Sequence, residues 1–208
     1  MNITPSQDKS KSPLDRKRLH LETFIIEDES LEQLYLENVV IDILRLCEKQ
    51  TLRKLHIRAG PKINFSKYSP TLAYFFDELA KFTKLESLQI KEFDLEEDNL
   101  MDFIDNIKLE ELFRNLRHLD LSDNSINDVW MKSILFGDEF EQEFGVGDWP
   151  MYAFPKLESL VISQNSLSDK GVTYIEKHIL EISPCLSKLV INPQNHSHCQ
   201  YKLRNIST

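Results

Sequence analysis

The 208-residue chain is short of glycine, cysteine and basic charge, and it has no long uncharged apolar run. Each shortage removes a class of protein. Five glycines leave little material for the Gly-rich loops that cradle phosphate. Three cysteines, Cys47, Cys185 and Cys199, are too few and too scattered for a disulfide framework, so reduced thiols are expected, with Cys47 and Cys185 as packed core residues beside apolar positions. The 25 Lys and Arg stand against 34 Asp and Glu, a formal net charge of −9. That balance disfavours a general nucleic-acid binder, whose phosphate contacts need basic residues in excess, and equally a polybasic membrane-surface protein. Without a run of about 18 apolar residues no helix is expected to span a membrane. Residues 1–18 lack the apolar core of a secretory signal, and a cytoplasmic or nuclear location, or both, is the expectation. Catalytic signatures are missing too. There is no Gly-x-Ser-x-Gly elbow, no His-Glu-x-x-His, and no recognisable acid/base carboxylate pair, so a non-catalytic protein without a cofactor is expected. His196-x-His198-Cys199 has metal-ligand residue types but not the three or four ligands a site needs, so no metal is expected.

What is present is a repeat. The spacing Leu-x-x-Leu-x-Leu/Ile occurs at Leu31/Leu34/Leu36, Leu52/Leu55/Ile57, Leu85/Leu88/Ile90, Leu116/Leu119/Leu121, Leu157/Leu160/Ile162 and Leu186/Leu189/Ile191. Two copies run on to an asparagine at position nine, Asn124 and Asn165, where the earlier ones have Val39, Gly60 and Phe93. A further short match, Leu21/Phe24/Ile26, sits too close to the copy at Leu31 to hold a full repeat and is expected to be an incoming cap strand. Between the copies, Leu72/Phe75/Leu79/Phe82, Leu100/Phe103/Ile107 and Val172/Ile175/Ile179/Ile182 step by three and four, the signature of one apolar helix stripe, and Ser168 stands where an N-cap belongs. These motifs resemble the leucine-rich repeat family, and the long helical segment after Asn165 resembles its ribonuclease-inhibitor-like subtype. The resemblance implies an α/β solenoid of about six repeats over residues 19–208, with a curved parallel sheet on the concave face and helices on the convex face. It also implies that Asn124 and Asn165 bond backbone groups of neighbouring coils as a structural ladder. The basic stretch 1–18, with its two prolines and no apolar periodicity, is expected to be a disordered tail.

Alternation along a strand turns positions three, five and seven of each copy away from the core. They include Tyr35, Lys54, His56, Arg58, Gln89, Lys91, His118 and Asp120, a mixed polar and basic strip on an acidic protein. The strip is either a binding surface for an acidic partner segment or an ordinary solvated sheet face. A second candidate is the insertion 136–154, rich in Gly, acids and aromatics, where Phe140, Phe144, Trp149 and Tyr152 either anchor a partner or fold back as local core. A third is the acidic stretch 92–111, expected on a convex helix as a solvated face. The function expected is therefore a protein–protein interaction module or scaffold, a monomer or one subunit of a complex, binding through the concave sheet and the 136–154 loop. A substrate receptor or adaptor of a ubiquitin ligase or other assembly is the alternative, and a regulator of a small GTPase a more distant one.

Overall fold

The computed structural model describes residues 18–27, 39–59, 70–93, 95, 112–136 and 154–191. Six strands form one parallel sheet in chain order: β1 Thr23–Glu27, β2 Lys54–Arg58, β3 Ser87–Lys91, β4 His118–Asp120, β5 Ser159–Val161 and β6 Lys188–Val190. Four helices are described between them, α1 Ile41–Leu46, α2 Pro70–Leu79, α3 Asp128–Phe136 and α4 Asp169–Ile182. Each strand is hydrogen-bonded to its neighbours in chain order, while α1 packs on α2 and α3 on α4. This is an open α/β solenoid.

The alternation explains the layering. The inward leucines and isoleucines of β2 to β6 are buried, and they share one core with Leu72, Phe75, Phe76 and Leu79 of α2, Trp130, Met131 and Leu135 of α3, and Val172, Ile175 and Ile179 of α4. A strand–helix unit has no second apolar layer of its own, so stacking of coils is what buries these faces. Parallel pairs in unbroken register follow: Leu55 opposite Leu88, Leu88 opposite Leu119, Leu119 opposite Leu160, Leu160 opposite Leu189.

One expectation about the repeats is corrected. The strand beside β2 is Thr23–Glu27, with Phe24 opposite Leu55 and Ile26 opposite Ile57. The match at Leu21/Phe24/Ile26 is therefore the outermost described strand of the sheet, as expected of an incoming strand, and the neighbouring place on β2 is not available to Leu31/Leu34/Leu36, which lie outside the described residues. The reason is geometric. Successive strands begin 31, 33, 31, 41 and 29 residues apart, and each interval must hold a turn, a return segment and a helix. Counting from Leu21 supplies that length, whereas counting from Leu31 leaves 21 residues. The helix expected at Leu100/Phe103/Ile107, the tail up to residue 17 and the segment after Ile191 lie outside the described residues as well.

The asparagine ladder has the form the resemblance implied. Asn165 Oδ1 accepts from the backbone N–H of Asn124 and of Ile126, both at 3.0 Å, and its amide donates to the carbonyls of Leu121 and Ile162 at 2.9 and 3.0 Å. Asn124 repeats the pattern one coil earlier, accepting from Phe93 N–H at 2.9 Å and donating to Ile90 O at 2.6 Å. At Phe93 the ladder stops and is replaced by apolar packing: the ring is buried, its centroid 5.6 Å from that of Phe75. Just ahead of these positions Glu92, Asp123 and Gln164 all take a left-handed backbone, φ 59°, 61° and 57°, which swings each chain out of its strand and over the core.

Helix ends are fixed locally. Ser168 caps α4, its Oγ accepting from Gly171 N–H at 3.1 Å, and Asp128 of the preceding coil holds both the Ser168 N–H, at 2.9 Å, and its hydroxyl. The Asp128 carboxylate fills the space beside Gly171, where any Cβ would overlap it. On the other pair of helices, Lys49 donates to the α1 carbonyl of Leu44 at 2.6 Å, lies 4.2 Å from the centroid of Phe82, and reaches Glu78 at 3.4 Å. Burial alone would raise the Glu78 carboxyl. Its bonds to Lys81 and Lys49 outweigh that and hold it below the usual carboxylate range. Cys47 is buried as expected, whereas Cys185 is exposed, because it sits in the turn between α4 and β6 rather than on an inward position.

Two measurements check this account. Asn165→Ala strips partners from two buried N–H groups and is expected to cost roughly 2–4 kcal/mol in a denaturant melt, with no recovery in Asn165→Leu. Gly171→Ala is expected to destabilise through the Asp128 clash by about 1–3 kcal/mol, partly relieved when combined with Asp128→Ala.

Candidate surface on the open sheet face

The face of the sheet opposite the helices carries the outward residues in three columns. The first crosses the bases of the strands as Thr23, Lys54, Ser87, His118, Ser159 and Lys188; the second runs Ile25, His56, Gln89, Asp120, Val161 and Val190. The third is Glu27, Arg58 and Lys91. Seven of the eight expected face residues, Lys54 through Asp120, are thereby brought together on adjacent strands. Tyr35 is not among them: it lies outside the described residues, and the place beside His56 belongs to Ile25, whose side chain is largely exposed. Position-only reasoning from the Leu21 match would have found Ile25.

The charges on this face are arranged differently from a basic strip. Arg58 Nε bonds Glu92 Oε1 at 2.6 Å, and Lys91 Nζ lies 3.2 Å from Asp120 Oδ2. Asp120 Oδ1 also accepts from the N–H and hydroxyl of the buried Ser122, at 3.1 and 2.7 Å. Glu92 therefore sits at the end of β3 facing Arg58 instead of on a convex helix; of the rest of the 92–111 stretch, only Phe93 and Leu95 are described, and both are buried. Burial, with Glu92 and Asp120 nearby, pushes the Asp123 carboxyl up against the pull of Lys91 and Arg58. The two cations at the strand ends are thus neutralised within the protein. By contrast Lys54, His118 and Lys188 carry no side-chain ion pair or hydrogen bond among the described residues.

His56 Nε2 and Ser87 Oγ share a hydrogen bond of 2.9 Å across β2 and β3. That distance suits a nucleophile and its base. The pair nevertheless has no orienting carboxylate on Nδ1 among the described residues, since the oxygens of Asp120 face Lys91 and Ser122. What it does is lock two strands. Burial, then Lys54 and Lys91, lowers the His56 pKa below the ordinary value, against Asp120 and Glu27. Among the described residues no three His, Cys, Asp or Glu side chains are placed to hold a metal ion, and no helix is long and apolar enough to cross a membrane.

The 136–154 segment lies outside the described residues except at its ends, so Phe140, Phe144, Trp149 and Tyr152 have no place on this surface to report. Phe154 is fully buried against Phe113, ring centroids 4.7 Å apart, and so is local core.

A sequence-family model of the leucine-rich repeat matches residues 114–134 and 155–175. Those two stretches are the coils that hold β4 with Asn124 and β5 with Asn165, the part of the fold where the ladder is complete. These two coils are leucine-rich repeats. Among solved structures, the chain is similar to internalin C2 of Listeria monocytogenes, with 16% identity, 79% of this chain and 60% of that one covered, and a TM-score of 0.32. Internalin inlF of the same organism is similar with 17% identity, 75% and 46% coverage, and a TM-score of 0.33. The chain therefore spans about half the length of these internalins. No curated protein matches the chain.

The sign of the His56 shift gives a prediction. The unfolded chain takes up this proton at the ordinary histidine pKa, about 6.5, before the folded chain does. The stability tied to His56 is then complete above that value and is lost as pH falls through it toward the lower folded pKa. Urea melts at pH 7.5, 6.5 and 5.5 are expected to show a decline that is shallower in His56→Gln, which keeps a polar partner for Ser87.

Proposed function

We propose that the chain is a non-catalytic protein-interaction module that presents its open sheet face to a polypeptide partner. The reading rests on one observation: the helices cover one side of the sheet, and the other side shows exposed and half-buried side chains of mixed character, from the aliphatic Ile25, Val161 and Val190 to Gln89 and the cations of the first column. Such a blend of aliphatic anchors with polar and charged groups is the composition of protein interfaces, and a parallel sheet is otherwise covered on both faces. The strands also form a rigid platform, so little ordering cost opposes association. Binding by the 136–154 loop, with Phe140, Phe144, Trp149 and Tyr152 as anchors, is a separate part of the same proposal.

A photo-crosslinking side chain placed at Gln89, at the centre of the face, is expected to capture a partner in cell extract. The same group at Tyr74, exposed on α2, is expected to capture none. Equal capture from both positions, or capture from Tyr74 alone, would move the interface to the helical side.

A further inference from the structure

We infer that the first column of the open face, Lys54–Ser87–His118–Ser159–Lys188, is a docking track for an extended acidic polypeptide segment with a carboxylate at every third residue. The inference rests on the interaction-module reading above and adds the chemistry and spacing of the occupant. Two observations carry it. The donors Lys54, His118 and Lys188 stand on β2, β4 and β6, every second strand, with the hydroxyls of Ser87 and Ser159 between them. Lys54, His118 and Lys188 have no side-chain ion pair or hydrogen bond among the described residues, whereas Ser87 Oγ is shared with His56 and, on the same face, Arg58 and Lys91 are held by Glu92 and Asp120. The row immediately below them alternates in charge. Glu22, Arg53, Glu86, Arg117 and Glu158 follow one another on successive rungs, tied by backbone bonds of 2.8 Å, three acids against two arginines, so the positive charge of the track is that of Lys54 and Lys188 themselves.

Spacing then chooses the occupant. Parallel strands lie about 4.8 Å apart, so donors on alternate strands recur about every 9.6 Å. A polyproline II segment returns to the same face every three residues, about 9.3 Å on. A chain crossing the strands in that conformation, with acids at i, i+3 and i+6, meets Lys54, His118 and Lys188 in turn. An α-helix repeats its face every 5.4 Å and falls out of step. An extended strand, alternating every two residues, meets the donors at about 6.7 Å and also falls out of step.

The test uses the full chain and labelled synthetic peptides followed by fluorescence anisotropy. One peptide carries aspartates at i, i+3 and i+6 on a proline-rich backbone; a second has the same composition with aspartates at i, i+2 and i+4. The first is expected to bind at least about fivefold tighter. Lys54→Gln with Lys188→Gln is expected to weaken it roughly three- to tenfold, as two exposed ion pairs would, and to flatten its salt dependence. The charge-matched control Lys170→Gln with Lys177→Gln, on the exposed side of α4, is expected to leave it within twofold. Melts of each variant confirm that the fold is kept. Equal binding of the two peptides, or equal loss in the control, overturns the track. So does oligothymidylate displacing the peptide at lower concentration through the same lysines, which would make the occupant a nucleic acid. If crosslinking from Gln89 captures a partner whose binding ignores Lys54 and Lys188, the module reading stands and the track alone falls. If the peptides fail to discriminate and Gln89 also captures nothing, the module reading falls together with the track.

Discussion

The structure depends on one side-chain amide doing the work of a missing strand. Where a coil leaves the sheet and turns over the core, its backbone N–H and C=O groups are buried and have no ladder partner, a cost of about 1–3 kcal/mol each if left unmet. Asn165 supplies both a carbonyl and an amide at that point, and it spends them on the coil before its own, at Asn124, Ile126 and Leu121. Asparagine suits the place because it alone combines acceptor and donors on a side chain short enough to stay beneath the turn. The ladder and the leucine layers are therefore complementary: the leucines say which faces meet, and the amides fix at what height one coil rests on the next.

Further toward the N-terminus the same problem is solved another way. Phe93 has no amide to give, so its own N–H is satisfied from the following coil by Asn124, and its ring fills the space against Phe75. Stability in that half comes from aromatic volume, from the half-buried Lys49 bridging Leu44, Phe82 and Glu78, and from the network Glu78 makes with Lys81 and Arg45. Each half keeps the coils in register, but only one does so with a motif that recurs.

That difference decides how much could be read beforehand. The inward leucines, the helix stripes at Leu72 and Val172 and the Ser168 cap were legible because periodicity and capping are local properties of the chain. The strand beside β2 was misjudged because Leu31/Leu34/Leu36 satisfies the spacing as well as Leu21/Phe24/Ile26 does, and only the length needed for a complete coil separates them. The face residues were legible as a set, since alternation alone points them outward. Their charges were not, because the partners of Arg58 and Lys91 come from the next coil: Glu92 is 34 residues from Arg58, beyond any local pattern. The exposed Cys185 was missed for a related reason, as its neighbours in the chain are apolar while its place in space is a turn.

Since each described strand is hydrogen-bonded only to its neighbours in chain order, the described coils are wired as a row of neighbours. Such wiring makes length a free variable. A coil can be gained or lost whole, and the 41-residue interval between β4 and β5 can be longer than its fellows, because what matters to a coil is the floor beneath it and not the distance travelled to reach it. It also bears on folding. A stack joined in this way can begin at any neighbouring pair, and the remaining coils have only to settle, one after another, onto a surface already set.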